Sequence, residues 1–151
     1  MNEFMKRAVQ LSADNVRDGG HPFGAVIVKN GQIVAEGVNE MHHTFDVSGH
    51  AELLAIRRLQ KDLQTNDLSG YTMYASGEPC PMCYTAMRFA GLDDIYYCQS
   101  VEEAGEAGLG LSGEVYHDLK KPNEERQTVM KQMKLTDGME NPMQLYAEKS
   151  K

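Results

Sequence analysis

The chain has 151 residues, 41% hydrophobic and 25% charged, which suffices for one domain (residues 1–151) with a sizeable core. Its formal charge of −7 at pH 7 argues against the broad basic surface that grips nucleic-acid phosphates and favours a small, uncharged or weakly charged ligand. Three cysteines make no disulfide framework, so a reducing cytoplasm is expected, and no apolar run approaches the roughly 20 residues that span a bilayer.

From Asn2 to Asn15, Phe4, Met5, Ala8, Val9 and Leu11 alternate with Lys6, Arg7 and Gln10, predicting an amphipathic helix rather than a signal peptide. Gly19-Gly20-His21-Pro22 breaks it. Ala25–Val28 and Gln32–Ala35 then flank Asn30-Gly31, a strong two-residue hairpin signal. A loop from Asn39 to Gly49 leads into a helix opened by His50 and Glu52, with Leu53, Leu54, Ile56, Leu59 and Leu63 at helical spacing. Tyr71–Ala75 alternates as a strand, and Pro81 starts a helix whose apolar residues are Met82, Ala86, Met87, Phe89 and Ala90. Asp94–Cys98 reads as the next strand, with Cys98 expected to be buried. Further on come a glycine-rich loop (Gly105–Gly113), a helix near Glu114–Leu119, a strand near Val129–Leu135 and a terminal helix from Pro142 to Lys149. Helices alternating with five strands, two of them in a hairpin, predict an α/β fold with a mixed sheet between helical layers. Ligands of such sheets bind at the carboxyl ends of strands, where the turns after the hairpin and after Ala75 deliver His50 and Cys80.

Those two turns carry the chemistry. Cys80-x-x-Cys83 puts two sulfurs at zinc-ligand spacing on a helix N-terminus, where the macrodipole favours thiolate. Alone, the pair fits equally a redox couple or half of a structural zinc site, and Glu52 alone fits a carboxylate complementing a helix dipole. At a first helical turn His50 and Glu52 can converge over the helix end, since side chains tilt toward the N-terminus. The set then supplies three zinc ligands (His50, Cys80, Cys83), an open fourth position and the free carboxylate of Glu52. Cys98, His21, His42, His43 and His117 have no partner at ligand spacing that marks a fourth protein ligand.

His50-Ala51-Glu52 followed by Pro79-Cys80-Pro81-Met82-Cys83 matches the zinc-deaminase signature. With Pro22-Phe23-Gly24-Ala25-Val26-Ile27-Val28 and Asn39, it makes the chain resemble the cytidine-deaminase superfamily, in the branch of guanine deaminases and tRNA adenosine deaminases. Phe23 and Glu106-Ala107-Gly108 are similar to the guanine-deaminase side of that branch. The resemblance implies a three-layer α/β/α fold around a mixed five-stranded sheet, one zinc ion per subunit, and hydrolysis of an aminated heterocycle to an oxo heterocycle and ammonia. It further implies that Glu52 carries the protons, that Asn39 and the Ala51 backbone N–H hydrogen-bond the substrate, and that Phe23 lines or stacks on its ring. It also implies a homodimer, which in some members exchanges its C-terminal segment. Two departures keep the substrate open between guanine and a related base, nucleoside or triazine. Leu109-Gly110-Leu111 stands where guanine deaminases carry an acidic residue, and the chain ends without their terminal tyrosine, leaving Tyr116 and Tyr146 as candidates for that part.

Overall fold

Helix α1 (Glu3–Arg17) begins where a side chain can cap it: Asn2 accepts the Met5 N–H, satisfying a donor that has no partner inside the helix. It belongs to a computed structural model that describes residues 2–150. Strands β1 (Gly24–Lys29) and β2 (Gln32–Val38) form the expected hairpin. Asn30 and Gly31 turn it with φ of 51° and 75°, the left-handed pair that a primed two-residue turn requires. A short helix α2 (Met41–Thr44), unforeseen in the sequence, interrupts the following loop before α3 (Ala51–Leu63). Then come β3 (Thr72–Gly77), α4 (Pro81–Ala90), β4 (Asp94–Gln99), α5 (Val101–Glu106) and α6 (Leu111–Leu119).

The strand order is β2-β1-β3-β4, with β1 antiparallel to both neighbours and β3 parallel to β4. Hence β2, β3 and β4 all end on one edge, where β1 begins. The pleat sorts the faces. Ala25, Ile27, Met73 and Ala75 join Ala51, Ala55 and Met87 in the core beneath α3 and α4, each of them essentially fully buried. On the opposite face Phe4 of α1 packs on Tyr74, which stacks in turn on Tyr96 of β4. This is the expected three-layer arrangement.

One close approach fixes where α3 begins. A Cβ added to Gly37 of β2 would collide with the Ala51 carbonyl oxygen and lie 3.0 Å from the Ala55 nitrogen. Only glycine lets the first turn of α3 rest directly on the sheet.

The chain divides after His117 into two compact units. The second holds a 3-10 turn (Asn123–Glu125) and helix α7 (Pro142–Lys149), capped by Asn141. Within it the Asn123 side chain bonds both backbone groups of Met130. The strand expected near Val129–Leu135 is not formed, so the sheet of the described residues has four strands, not five. A strand needs a neighbouring backbone to bond, and among the described residues none pairs with this segment. Two further expectations change. Cys98 is exposed, because β4 is an edge strand whose Tyr96 and Tyr97 are also about half exposed. The loop expected from Gly105 to Gly113 is shorter, since α5 and α6 take both its ends.

Candidate metal centre and active-site cavity

His50 is the N-cap of α3, yet its side chain makes no capping bond, which leaves the ring free to face away from its own helix. It faces α4. Nδ1 lies 3.4 Å from Cys80 Sγ and 3.5 Å from Cys83 Sγ. Cys80 is the N-cap of α4, its sulfur accepting the Cys83 N–H at 3.4 Å, with Pro81 supplying the first helical residue. Two helix N-termini therefore bring two sulfurs and an imidazole nitrogen within 4.8 Å of one another. A tetrahedral zinc ion with ordinary bond lengths needs nitrogen and sulfur about 3.5 Å apart, which both imidazole–sulfur spacings match. Among the described residues no fourth histidine, cysteine or carboxylate joins the cluster.

The electrostatics suit a cation. The Cys83 thiol, together with the His50 ring and the Cys83 N–H, holds the Cys80 thiol well below its ordinary range. Beside that thiolate, in a buried setting, Cys83 is held protonated, a proton that a bound cation would displace. Bonding to Cys80 outweighs burial and raises the basicity of His50. Glu52, second residue of α3, is buried, and loss of water pushes its carboxyl up to about 7. A carboxyl poised there can accept and return a proton near neutral pH.

These groups open onto a cavity of about 330 Å³ at the strand edge where β2, β3 and β4 end. His50, Glu52, Cys80, Asn39 and Phe23 all line it. Cys83 is fully buried behind them, and Ala51 is off the wall, though as the first residue of α3 its N–H has no partner in the helix. Asn39 is 2% exposed; its Oδ1 accepts the Met41 N–H, while its Nδ2 has only the Met41 sulfur at 3.6 Å. Its amide is thus left with donor capacity at the cavity. Phe23 both packs against the core and lines the cavity, so the structural and the substrate-facing readings coexist.

The far wall went unread in the sequence. Val101 and Ala104 come from α5, and Leu111, Ser112 and Val115 from α6. A signal was available: Ser100 and Glu103 form a capping box, the S-x-x-E pattern of a helix start. Glu78, just ahead of the Pro-Cys motif, also lines the cavity, and its Oε1 accepts the Val101 N–H, setting the start of α5. Tyr116 does not line the cavity; its hydroxyl donates to the Pro79 carbonyl at 2.5 Å, and burial pushes it up to about 12, so it stays protonated. Tyr146 is largely exposed in the second unit.

Residues 1–99 match the family described as the cytidine and deoxycytidylate deaminase zinc-binding region. The chain is 42% identical over 144 residues to guanine deaminase of Bacillus subtilis, covering 95% of this chain and 91% of the relative. It is 33% identical over 94 residues to a tRNA-specific adenosine deaminase of Aquifex aeolicus, 62% of each chain. The X-ray structure of Bacillus subtilis guanine deaminase superposes with a TM-score of 0.89 at 40% identity, over 98% of this chain and 95% of that one. That of guanine deaminase from Nitrosomonas europaea gives 0.66 at 27% identity, over 70% and 62%. A zinc-fitting donor set beside a buried carboxyl and these likenesses meet in one conclusion: the chain belongs to the cytidine and deoxycytidylate deaminase family, as a zinc-dependent hydrolytic deaminase of α/β fold.

Proposed function

We propose that the chain, working as a single domain, converts guanine and water to xanthine and ammonia, with His50, Cys80 and Cys83 holding one zinc ion. The observation that carries this reading is the buried Glu52 carboxyl on the cavity wall beside three clustered metal donors, with no fourth protein donor among the described residues. Zinc, when bound, supplies a Lewis acid that ionises a water molecule near neutral pH. Glu52 would take one proton from the attacking water and pass it to a ring nitrogen next to the amino-bearing carbon; it would then take the second proton from the hydroxyl added at that carbon and deliver it to the amine, which leaves as ammonia while the carbonyl forms. Asn39 donates to an acceptor on the purine, the Ala51 N–H donates at the helix end, and Phe23 packs on the ring. Guanine as the substrate draws support from the extent of similarity to the Bacillus subtilis relative.

A second reading, another aminated base, nucleoside or triazine, is favoured by Leu109 and Leu111 on a wall where the neutral hydroxyl of Ser112 is the polar group from α6. A site that lacks a buried hydrogen-bonding partner discriminates less between related rings. One screen decides: ammonia release from guanine, adenine, cytosine, their nucleosides and aminotriazines. The first reading expects guanine to have the highest kcat/KM, and a higher value for any other compound selects the second. The acidic balance disfavours tRNA as a substrate.

We further propose a cytoplasmic homodimer that exchanges its C-terminal segment. Phe89 on α4 is 87% exposed, and in the second unit Met133 is 95% and Met143 82% exposed, apolar surface suited to a second copy of the chain. Sedimentation of the full chain tests this, with a dimer mass expected and a monomer mass at micromolar concentration against it.

A further inference from the structure

We propose that Tyr116 is a positioning residue that latches helix α6, the outer wall of the cavity, to the turn carrying Cys80. The inference rests on the cavity being the substrate site. Helix α6 contributes Leu111, Ser112 and Val115 to the wall, yet none of its residues is buried and Leu111 is 70% exposed. Within a single chain, therefore, little apolar burial holds it in place. Among the described residues up to His117, the hydrogen bond joining α6 to anything beyond its own flanking turn is the one from Tyr116 Oη to the Pro79 carbonyl. That carbonyl belongs to the peptide immediately before Cys80, the N-cap of α4. One bond thus reaches from the wall to the metal turn.

The consequence is pre-organisation. With the latch closed, a ligand meets a formed wall; with it open, binding must also order α6, and apparent affinity falls by the fraction of molecules in the closed state. Chemistry, confined to Glu52 and the three donors, is untouched once the ligand is in place. Tyr116 therefore acts on KM and not on kcat.

The test is Tyr116→Phe, which removes one oxygen and preserves the ring. Hydrogen exchange over residues 112–117 of the zinc-loaded, ligand-free protein is expected to accelerate several-fold. Guanine binding, measured by calorimetry in Glu52→Gln with and without Tyr116→Phe, is expected to weaken about two- to tenfold, the range of one net hydrogen bond. In the otherwise unaltered enzyme KM rises by the same factor, while kcat and zinc content stay as in the parent. Unchanged exchange and affinity would overturn the latch. So would a loss of zinc with kcat falling at constant KM, which would make Tyr116 a support of Cys80 alone. If the parent binds no guanine, the substrate reading has failed, and the ligand-free exchange measurement still decides the latch.

Discussion

Replacing Gly37 by alanine tests whether close packing of α3 on the hairpin sets the position of the site. The added methyl would meet three backbone atoms, the Ala51 oxygen and carbon and the Ala55 nitrogen, the last two at 3.2 and 3.0 Å. None can rotate away, so the first turn of α3 must withdraw by roughly an ångström to restore ordinary contact distances. Overpacking of this kind costs about 1–3 kcal/mol, offset by the ~0.5 kcal/mol that alanine gains over glycine in a strand. At roughly 2–4 °C per kcal/mol for a chain of this length, Tm falls by about 1–10 °C. His50 caps that turn and Glu52 is its second residue, so both move with it, and misplacement on this scale lowers kcat by up to about 100-fold. The assay pairs thermal unfolding in saturating zinc with ammonia release. Gly31→Ala is the control: its φ of 75° makes alanine strained but nothing lies within 4 Å, so Tm falls while kcat stays. If Gly37→Ala kept both Tm and kcat, the packing of α3 on β2 would not be what holds the site.

Cys83→Ala removes one of three donors from a fully buried position, so zinc is lost on dialysis and Tm drops; elemental analysis showing full zinc occupancy would remove Cys83 from the ligand set. Glu36→Gln breaks the two-pronged contact of Arg7 of α1 with β2, at 2.7 and 3.0 Å. The Arg7 hydrogen bond holds Glu36 below its ordinary 4.5, so its contribution is full above about pH 4.5 and vanishes as pH falls through the lowered value. Both side chains are more than a third exposed, limiting the loss at pH 7 to under about 1 kcal/mol. Urea titrations at pH 7 and pH 3 check this, and an equal loss at both would contradict the ion-pair account.

Elements whose ends are written in local chemistry were legible in the sequence. Asn30-Gly31 set the hairpin because both residues tolerate positive φ, and Pro81 marked the start of α4 because a missing N–H costs nothing at a first helical position. The three donors and Glu52 were legible for the same reason, since each lies on a helix start that its own motif announces. What depended on neighbours was not. Val129–Leu135 has a strand-like composition, but a strand also requires a partner backbone. Cys98 shares an apolar run with Ile95, yet burial there depends on what covers an edge strand. The far wall of the cavity was hidden differently: Gly105, Gly108, Gly110 and Gly113 suggested a loop, whereas the capping box at Ser100 and the apolar pair Leu111 and Val115 mark two short helices.

The proposed reaction requires a zinc ion with an open position beside a proton-carrying Glu52. Its most direct test is zinc content and ammonia release from guanine, measured side by side on the parent and on Glu52→Gln. One zinc per chain is expected in both, with turnover about 100- to 10,000-fold lower in the variant, the usual worth of a positioned acid–base group. A variant that keeps its turnover, or a parent that releases ammonia equally well after zinc is stripped, would contradict it.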